Sequence, residues 1–253
     1  MFPIINIGPF AIQASGLFVL IGIWGGLFLA ERYLDRYKIE PKKFNNLVFI
    51  SLISGLIGAR LFFVIQYLEI FLQNPLSILS INPNLFDMFG GIICAILAGM
   101  IFGNKNGFKL WVTLDAITPI LAVLSISIGL AHLASGSHFG IPTNLPFGIE
   151  LWGQIRHPVQ IYHILAAMMT LVFLWPGRKF NAGLPPGVYF LFFISISSAA
   201  YLLISGFQAK SHVIFYGFRS EQIIAWMILA ICLYGIKKLG NRSADHINNK
   251  RSL

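Results

Sequence analysis

The chain has 253 residues, of which 57% are hydrophobic and 11% charged, with mean hydropathy +0.76 and a formal net charge of +9. A soluble globular domain carries about 25% charged residues, so this composition excludes a soluble enzyme with a simple anchor and indicates an integral membrane protein. The positive charge does not point to nucleic acid, because the basic residues collect in short loops between apolar runs, and no nucleic-acid partner is expected.

A spanning helix needs roughly 20 mostly apolar residues. Segments that qualify lie at about 11–31, 45–68, 84–103, 109–131, 158–176, 187–206 and 221–238. No Lys or Arg precedes Arg32, so the first of these is expected to be a permanent span and not a cleaved signal. Breaks fall at Pro41-Lys42-Lys43 and at Gly103-Asn104-Lys105-Asn106-Gly107, and Pro158 opens the fifth span in a favourable first-turn position. Lys and Arg number five in 32–43, two in 104–109, two in 177–180 and five in 237–251, fourteen on one side. Only Arg156, Lys210 and Arg219 fall on the other, and Arg60 lies within a span. The positive-inside rule then puts the N-terminus outside. The expected fold is an all-α integral membrane protein with seven transmembrane helices and a cytoplasmic C-terminus. Residues 1–238 form one membrane domain, and 239–253 a basic tail.

Two longer loops face outward on this reading, 69–83 and 132–157. The first lacks Lys and Arg, and its Ile70, Phe71, Leu76, Ile78, Leu79 and Ile81 suit either an interfacial amphipathic segment or a loop packed on other helices. Gly22, Gly25 and Gly26, then Gly55, Gly58 and Ala59, then Gly90, Gly91, Ala95, Ala98 and Gly99 give small faces for close helix packing. Cys94 and Cys232 lie mid-span and read as small buried hydrophobes, with no disulfide or zinc pattern.

Polar residues inside spans carry the chemical signal. Arg60, roughly 12 Å deep, suits either a clamp for a lipid phosphate or a structural ion pair. Asp115, roughly 9 Å deep from the opposite end, is too far from His132 to orient it, and a structural polar role is expected. Arg156, His157, Gln160, Tyr162 and His163 run from a loop into the fifth span, and with His132 and His138 they gather at the outer side. Histidine is the natural proton acceptor near neutral pH, so His132, His138 and His157 are the candidate catalytic residues. Interfacial His and Tyr also act as headgroup-level anchors. The six-residue spacing within His132/His138 and within His157/His163 does not set two ligands on one helix face, so no metal is expected. Arg219 and Lys210 flank the last span outside and could draw an anionic headgroup.

Leu145-Pro146-Phe147-Gly148 followed by Arg156-His157-Pro158-Val159-Gln160-Ile161-Tyr162 resembles the bacterial prolipoprotein diacylglyceryl transferase family. So do Gly58-Ala59-Arg60, Gly90-Gly91, Asp115 with Pro119, and Gly217 with Gln222. The resemblance covers nearly the whole chain. It implies transfer of a diacylglyceryl group from phosphatidylglycerol, or another anionic phospholipid, to the thiol of a lipobox cysteine in a prolipoprotein. The reaction would take place at the outer leaflet of the bacterial inner membrane and need no cofactor. The thiolate is the nucleophile and glycerol phosphate leaves, which asks for a base and for cations. Headgroup-binding roles then fall to Arg60, Arg156, Gln160, Tyr162, His163 and Arg219, and structural polar roles to Asp115 and Gln222.

The chain departs from the family's pattern at charged positions. An Arg-x-Gly-Asn-Phe-x-Asn-x-Glu run is replaced by Gly129 to Ser137, so that His132, Ser135 and Ser137 stand where Asn, Asn and Glu would. Phe89 stands before Gly90-Gly91 in place of His or Tyr. Tyr201, Ser205 and Gln208 replace an Arg, a Glu and an Arg, and His163 replaces a Glu. Two functional classes therefore stand open. One is an active, divergent transferase. The other is a catalytically silent relative that binds phospholipid or lipoprotein segments, or serves as a membrane subunit beside a protein partner. A small-solute transporter is disfavoured, because the chain shows no inverted repeat.

Overall fold

Six helices are long and apolar enough to cross a membrane in the computed structural model: Ala14–Glu31, Pro41–Gln66, Met88–Lys105, Leu110–Ser135, Val188–Ser205 and Ser220–Asn241. The structure describes residues 4–7, 10–80, 82, 85–178, 183–209, 213–215 and 218–251, with side chains left aside in 4–12, 213–218 and 242–251. Ile81, Lys179, Lys210 and Gly217, singled out in the sequence, lie outside the described residues. In chain order the elements are β1 (Ile4–Ile7), β2 (Phe10–Gln13), α1 (Ala14–Glu31), α2 (Pro41–Gln66), α3 (Leu68–Gln73), α4 (Met88–Lys105) and α5 (Leu110–Ser135). Then follow β3 (Ile149–Leu151), β4 (Gln154–Arg156), α6 (Val159–Phe173), α7 (Val188–Ser205), β5 (Val213–Phe215), β6 (Phe218–Arg219) and α8 (Ser220–Arg251). The strands form three two-stranded antiparallel hairpins, so the protein is a helical membrane protein with small β additions. α6, the expected fifth span, has only 15 residues, and Pro158 is its N-cap rather than its first helical residue.

Residues 1–33 with 114–253 form one unit, and residues 34–113 a second. In the second unit α2 and α4 pack through their small residues. A Cβ on Gly58 would meet the Cys94 Cβ closer than real side chains approach, and one on Gly55 would stand 3.1 Å from the Ala95 Cβ, so the small residues let these two helices meet closely. Asp87 caps α4 by accepting from the Gly90 N–H at 2.6 Å. Segment 69–83 becomes α3 and a 3₁₀ turn, Pro75–Leu79. Phe71 is buried, whereas Ile70, Leu72, Leu76 and Leu79 are exposed.

Arg60 holds this segment. Its Nε donates to the Ile78 carbonyl at 3.0 Å, Nη1 to Leu85 at 2.7 Å and Nη2 to Ser77 at 2.6 Å. The guanidinium lies 5.3 Å from the Phe71 ring and 5.6 Å from Phe86. Three of its five N–H donors are thus engaged by backbone carbonyls.

In the first unit Gly26 of α1 faces the backbone of Ile120 on α5, with 2.8 Å between a Cβ built there and the Ile120 Cα. Ala122, Leu174, Tyr189 and Phe193 form a buried cluster. The start of α7 is fixed from outside its own sequence. Asp115 on α5, 4% exposed, accepts from Gly187 N at 2.6 Å and Phe190 N at 2.9 Å. A carboxylate there satisfies orphan N–H groups and meets the positive end of the helix dipole. Asp115→Ala is expected to cost on the order of 2 kcal/mol of stability, and Asp115→Asn less, because one acceptor oxygen survives. Thermal unfolding in detergent checks this, and an unchanged midpoint for Asp115→Ala would refute it.

Candidate functional site

Three helices of the first unit place small and polar residues at one-turn spacing on a common face: Ser125, Gly129 and His132 on α5; Gln160, His163, Ala167 and Thr170 on α6; Ser197, Ala200 and Tyr201 on α7. Small side chains leave room between the helices, and the result is a cavity of about 920 Å³. Ser137, His138 and Phe139 line it beyond the end of α5, Gln208 and Ala209 beyond α7, and Glu221 at the start of α8.

α5 ends in a Gly136 turn. Gly136 has φ +69°, its N–H reaches the Leu133 carbonyl, and the Ser137 N–H reaches the His132 carbonyl at 3.1 Å. This pattern closes a helix C-terminus and requires a left-handed residue that glycine supplies without strain. His138 follows, also left-handed at φ +54°. The turn folds His138 back onto His132, with ring centroids 3.8 Å apart. The Ser137 hydroxyl bridges the pair, 3.0 Å from His132 Nδ1 and 3.4 Å from His138 Nδ1, with the Ser135 hydroxyl 2.8 Å away.

On the other wall the Tyr201 hydroxyl donates to Glu221 Oε2 at 2.6 Å, and the His163 ring lies 6.0 Å from the Tyr201 ring. Gln160, 1% exposed, donates its Nε2 to the Ser137 carbonyl at 2.7 Å, and its Oε1 is buried without a partner. Gln208, 6% exposed, likewise has a buried, unpartnered Oε1. Among the described residues that line the cavity there is no Arg or Lys.

Of the residues singled out in the sequence, His132, His138, His163 and Gln160 come together around this cavity. Arg156, His157, Tyr162, Arg219 and Gln222 do not line it. Arg156 braces the β3–β4 hairpin. Its Nε donates to the Leu151 carbonyl, Nη1 to Gly140 and Nη2 to Gln154 Oε1, and its guanidinium lies 4.9 Å from the Phe139 ring. His157 is buried, with Nδ1 3.1 Å from the Tyr162 hydroxyl and its ring 4.9 Å from Phe207. Arg219 donates to the Ser205 carbonyl, and Gln222 Nε2 to the Ser205 hydroxyl at 3.0 Å. Ser137 and Glu221 are cavity residues that sequence reasoning passed over as candidates. The signal for Ser137 was Gly136, which marks a turn carrying the chain back past His132. Glu221 lies where a polar loop enters an apolar run.

A family model described as prolipoprotein diacylglyceryl transferase matches residues 3–237. Curated relatives carry the name phosphatidylglycerol–prolipoprotein diacylglyceryl transferase. That of Desulfotalea psychrophila is 29% identical, over 81% of this chain and 79% of the relative. That of Bacillus cereus is 26% identical, over 97% of this chain and 95% of the relative. That of Pseudomonas putida is 30% identical over 67% of each.

Proposed function

The chain belongs to the prolipoprotein diacylglyceryl transferase family, and on that premise we propose that it moves a diacylglyceryl group from a phospholipid, phosphatidylglycerol or another anionic one, to the lipobox thiol of a prolipoprotein. The observation that carries this reading is the cavity of about 920 Å³ walled by His132, His138 and His163. A pocket of that size suits a lipid headgroup with its glyceryl carbons.

The chemistry follows from the reacting atoms. The thiol proton passes to an imidazole of the cavity. The sulfur then attacks the glyceryl carbon that bears the phosphate oxygen. A C–S bond forms, the C–O bond breaks, and glycerol phosphate leaves with the electron pair. Imidazole N–H donors of the same cluster stabilise the leaving oxygens. In this arrangement His132 and His138 hold the proton-transfer role. His157 supports the segment after β4, and Arg60, Arg156 and Arg219 brace the outer backbone.

The seven-span topology completes the proposal, with α6 as a short span rising roughly 22 Å and the N-terminus outside. Fourteen Lys and Arg against three support that orientation. The outer leaflet of the bacterial inner membrane is the corresponding place of action.

A second reading has its own observation. Among the described residues no Arg or Lys lines the cavity, and Tyr201 and Gln208 stand where the family resemblance places arginines. A silent relative that binds lipid or a lipoprotein segment without reacting fits that fact. One experiment separates the two: expression in a bacterium depleted of its own transferase, scored by the mass of a model lipobox protein. Restored lipidation is the expected result. An inserted, well-expressed chain that leaves the lipobox protein unmodified would establish the silent reading instead.

A further inference from the structure

The polar contacts at the end of α5 allow one arrangement of hydrogens that satisfies them all. The Ser135 hydroxyl lies 3.2 Å from the His132 carbonyl oxygen and 2.8 Å from the Ser137 hydroxyl. The Ser137 hydroxyl lies 3.0 Å from His132 Nδ1 and 3.4 Å from His138 Nδ1. A carbonyl oxygen only accepts, so the single Ser135 proton goes to it. The contact between the two serines then takes the Ser137 proton. Ser137 is left with lone pairs alone for the two rings, and a hydroxyl oxygen has two of them. Both ring contacts are therefore N–H donors, and each neutral imidazole carries its proton on Nδ1. The His132 carbonyl that starts this series also accepts the Ser137 N–H at 3.1 Å, across the turn that Gly136 makes at φ +69°.

We propose that Ser135 and Ser137 are positioning residues that set the tautomer of His132, so that the neutral ring holds its proton on Nδ1 and keeps Nε2 as the bare, proton-accepting nitrogen. The use of that nitrogen in the reaction rests on the transferase reading. His132 lines the cavity, and with Nδ1 committed to Ser137 its Nε2 is the atom left to take the thiol proton. When it does, the S–H bond breaks, an Nε2–H bond forms, and the Nδ1 proton stays on the Ser137 oxygen. The two hydroxyl dipoles point their oxygens towards the ring, which favours the imidazolium charge. A ring in the other tautomer would offer Nε2–H and no base. His132, Ser135 and Ser137 are also the three residues that stand in place of Asn, Asn and Glu in the family's pattern. Replacements that look unrelated in sequence thus form one hydrogen-bonded series.

The test is the ¹⁵N spectrum of the full chain, labelled at histidine and reconstituted in lipid bilayers, at mildly alkaline pH where imidazoles are neutral. Ala131-His132 is the one Ala-His pair in the sequence, so alanine labelled with ¹³C at its carbonyl picks out His132 without a variant. The expected spectrum shows a protonated Nδ1 and a bare Nε2, the reverse of the tautomer that free neutral histidine favours. Ser137→Ala is expected to shift His132 towards Nε2–H and to lower lipidation of a lipobox protein by about fivefold to tenfold, the worth of one neutral hydrogen bond. Ser137→Thr brings back the hydroxyl, and with it the Nδ1–H signal and the rate. A serine that only shaped the turn would change stability and leave the tautomer alone. His132 carrying its proton on Nε2 in the native chain overturns the proposal, and so does an Nδ1–H signal that survives Ser137→Ala. An Nδ1–H signal from a native chain that lipidates nothing upholds the tautomer and overturns the transferase reading instead. The native spectrum needs no variant to fold.

Discussion

His132→Ala is expected to lower lipidation of a lipobox protein by about 10²- to 10⁴-fold per inserted molecule, the range lost when a positioned general base is removed. His132 is the histidine that the site is built around. It lies on the face of α5 that lines the cavity, its Nδ1 meets the Ser137 hydroxyl, and the tilted His138 ring lies 3.8 Å from its own, centroid to centroid. Two further variants separate chemistry from architecture. His132→Gln can keep a hydrogen bond to Ser137 but offers no base, so its activity should fall with that of His132→Ala. His157→Ala removes a buried ring that packs on Phe207 and bonds Tyr162, outside the cavity lining. That change should lower the unfolding temperature and leave the rate per folded molecule within a few-fold of native. Activity in His132→Ala and His132→Gln within about threefold of native would remove His132 from the reaction.

The contrast between these histidines also shows what the sequence could and could not convey. Spans were legible because roughly 20 apolar residues in a row have one common explanation, and their ends were marked by Pro, Gly and charge. The exceptions have local causes. The first expected span starts too early, because residues 11–13 belong to β2, which pairs with β1, and a short apolar strand and the start of a span look alike in composition. α5 runs on to Ser135, four residues past the expected 131, since Gly136 and not the first polar residue stops it.

At the site, helical spacing identified residues that share a face but not what that face meets. Arg156, His157 and Tyr162 look chemical in sequence because polar groups beside an apolar helix are costly. Their partners are carbonyls and rings brought in from 139–142, 151–154 and 207, which no spacing rule predicts. Asp115 was legible as structural only by exclusion. The N-cap of the helix it caps, Gly187, lies 72 residues away.

Arg60→Ala is expected to destabilise the 34–113 unit by on the order of 3 kcal/mol, the second large effect. Arg60 is 9% exposed, and its guanidinium ties Ser77, Ile78 and Leu85 to α2 through three charge-assisted bonds. Each such bond is worth roughly 1.5–3 kcal/mol on its own, and the three are not additive because water can reach part of the loop once it loosens. The decisive comparison is Arg60→Lys. Lysine keeps the positive charge, but an ammonium on a flexible stem cannot reproduce a planar fork directed at three carbonyls. If the residue acts by holding the segment that follows α3, both variants lose stability, and limited proteolysis cuts first between residues 74 and 87. If it acts as a cation for a lipid phosphate, Arg60→Lys keeps native stability and most of its activity, whereas Arg60→Ala keeps stability and loses activity. The carbonyl geometry favours the first outcome, since three of the guanidinium's five donors are already committed to the backbone.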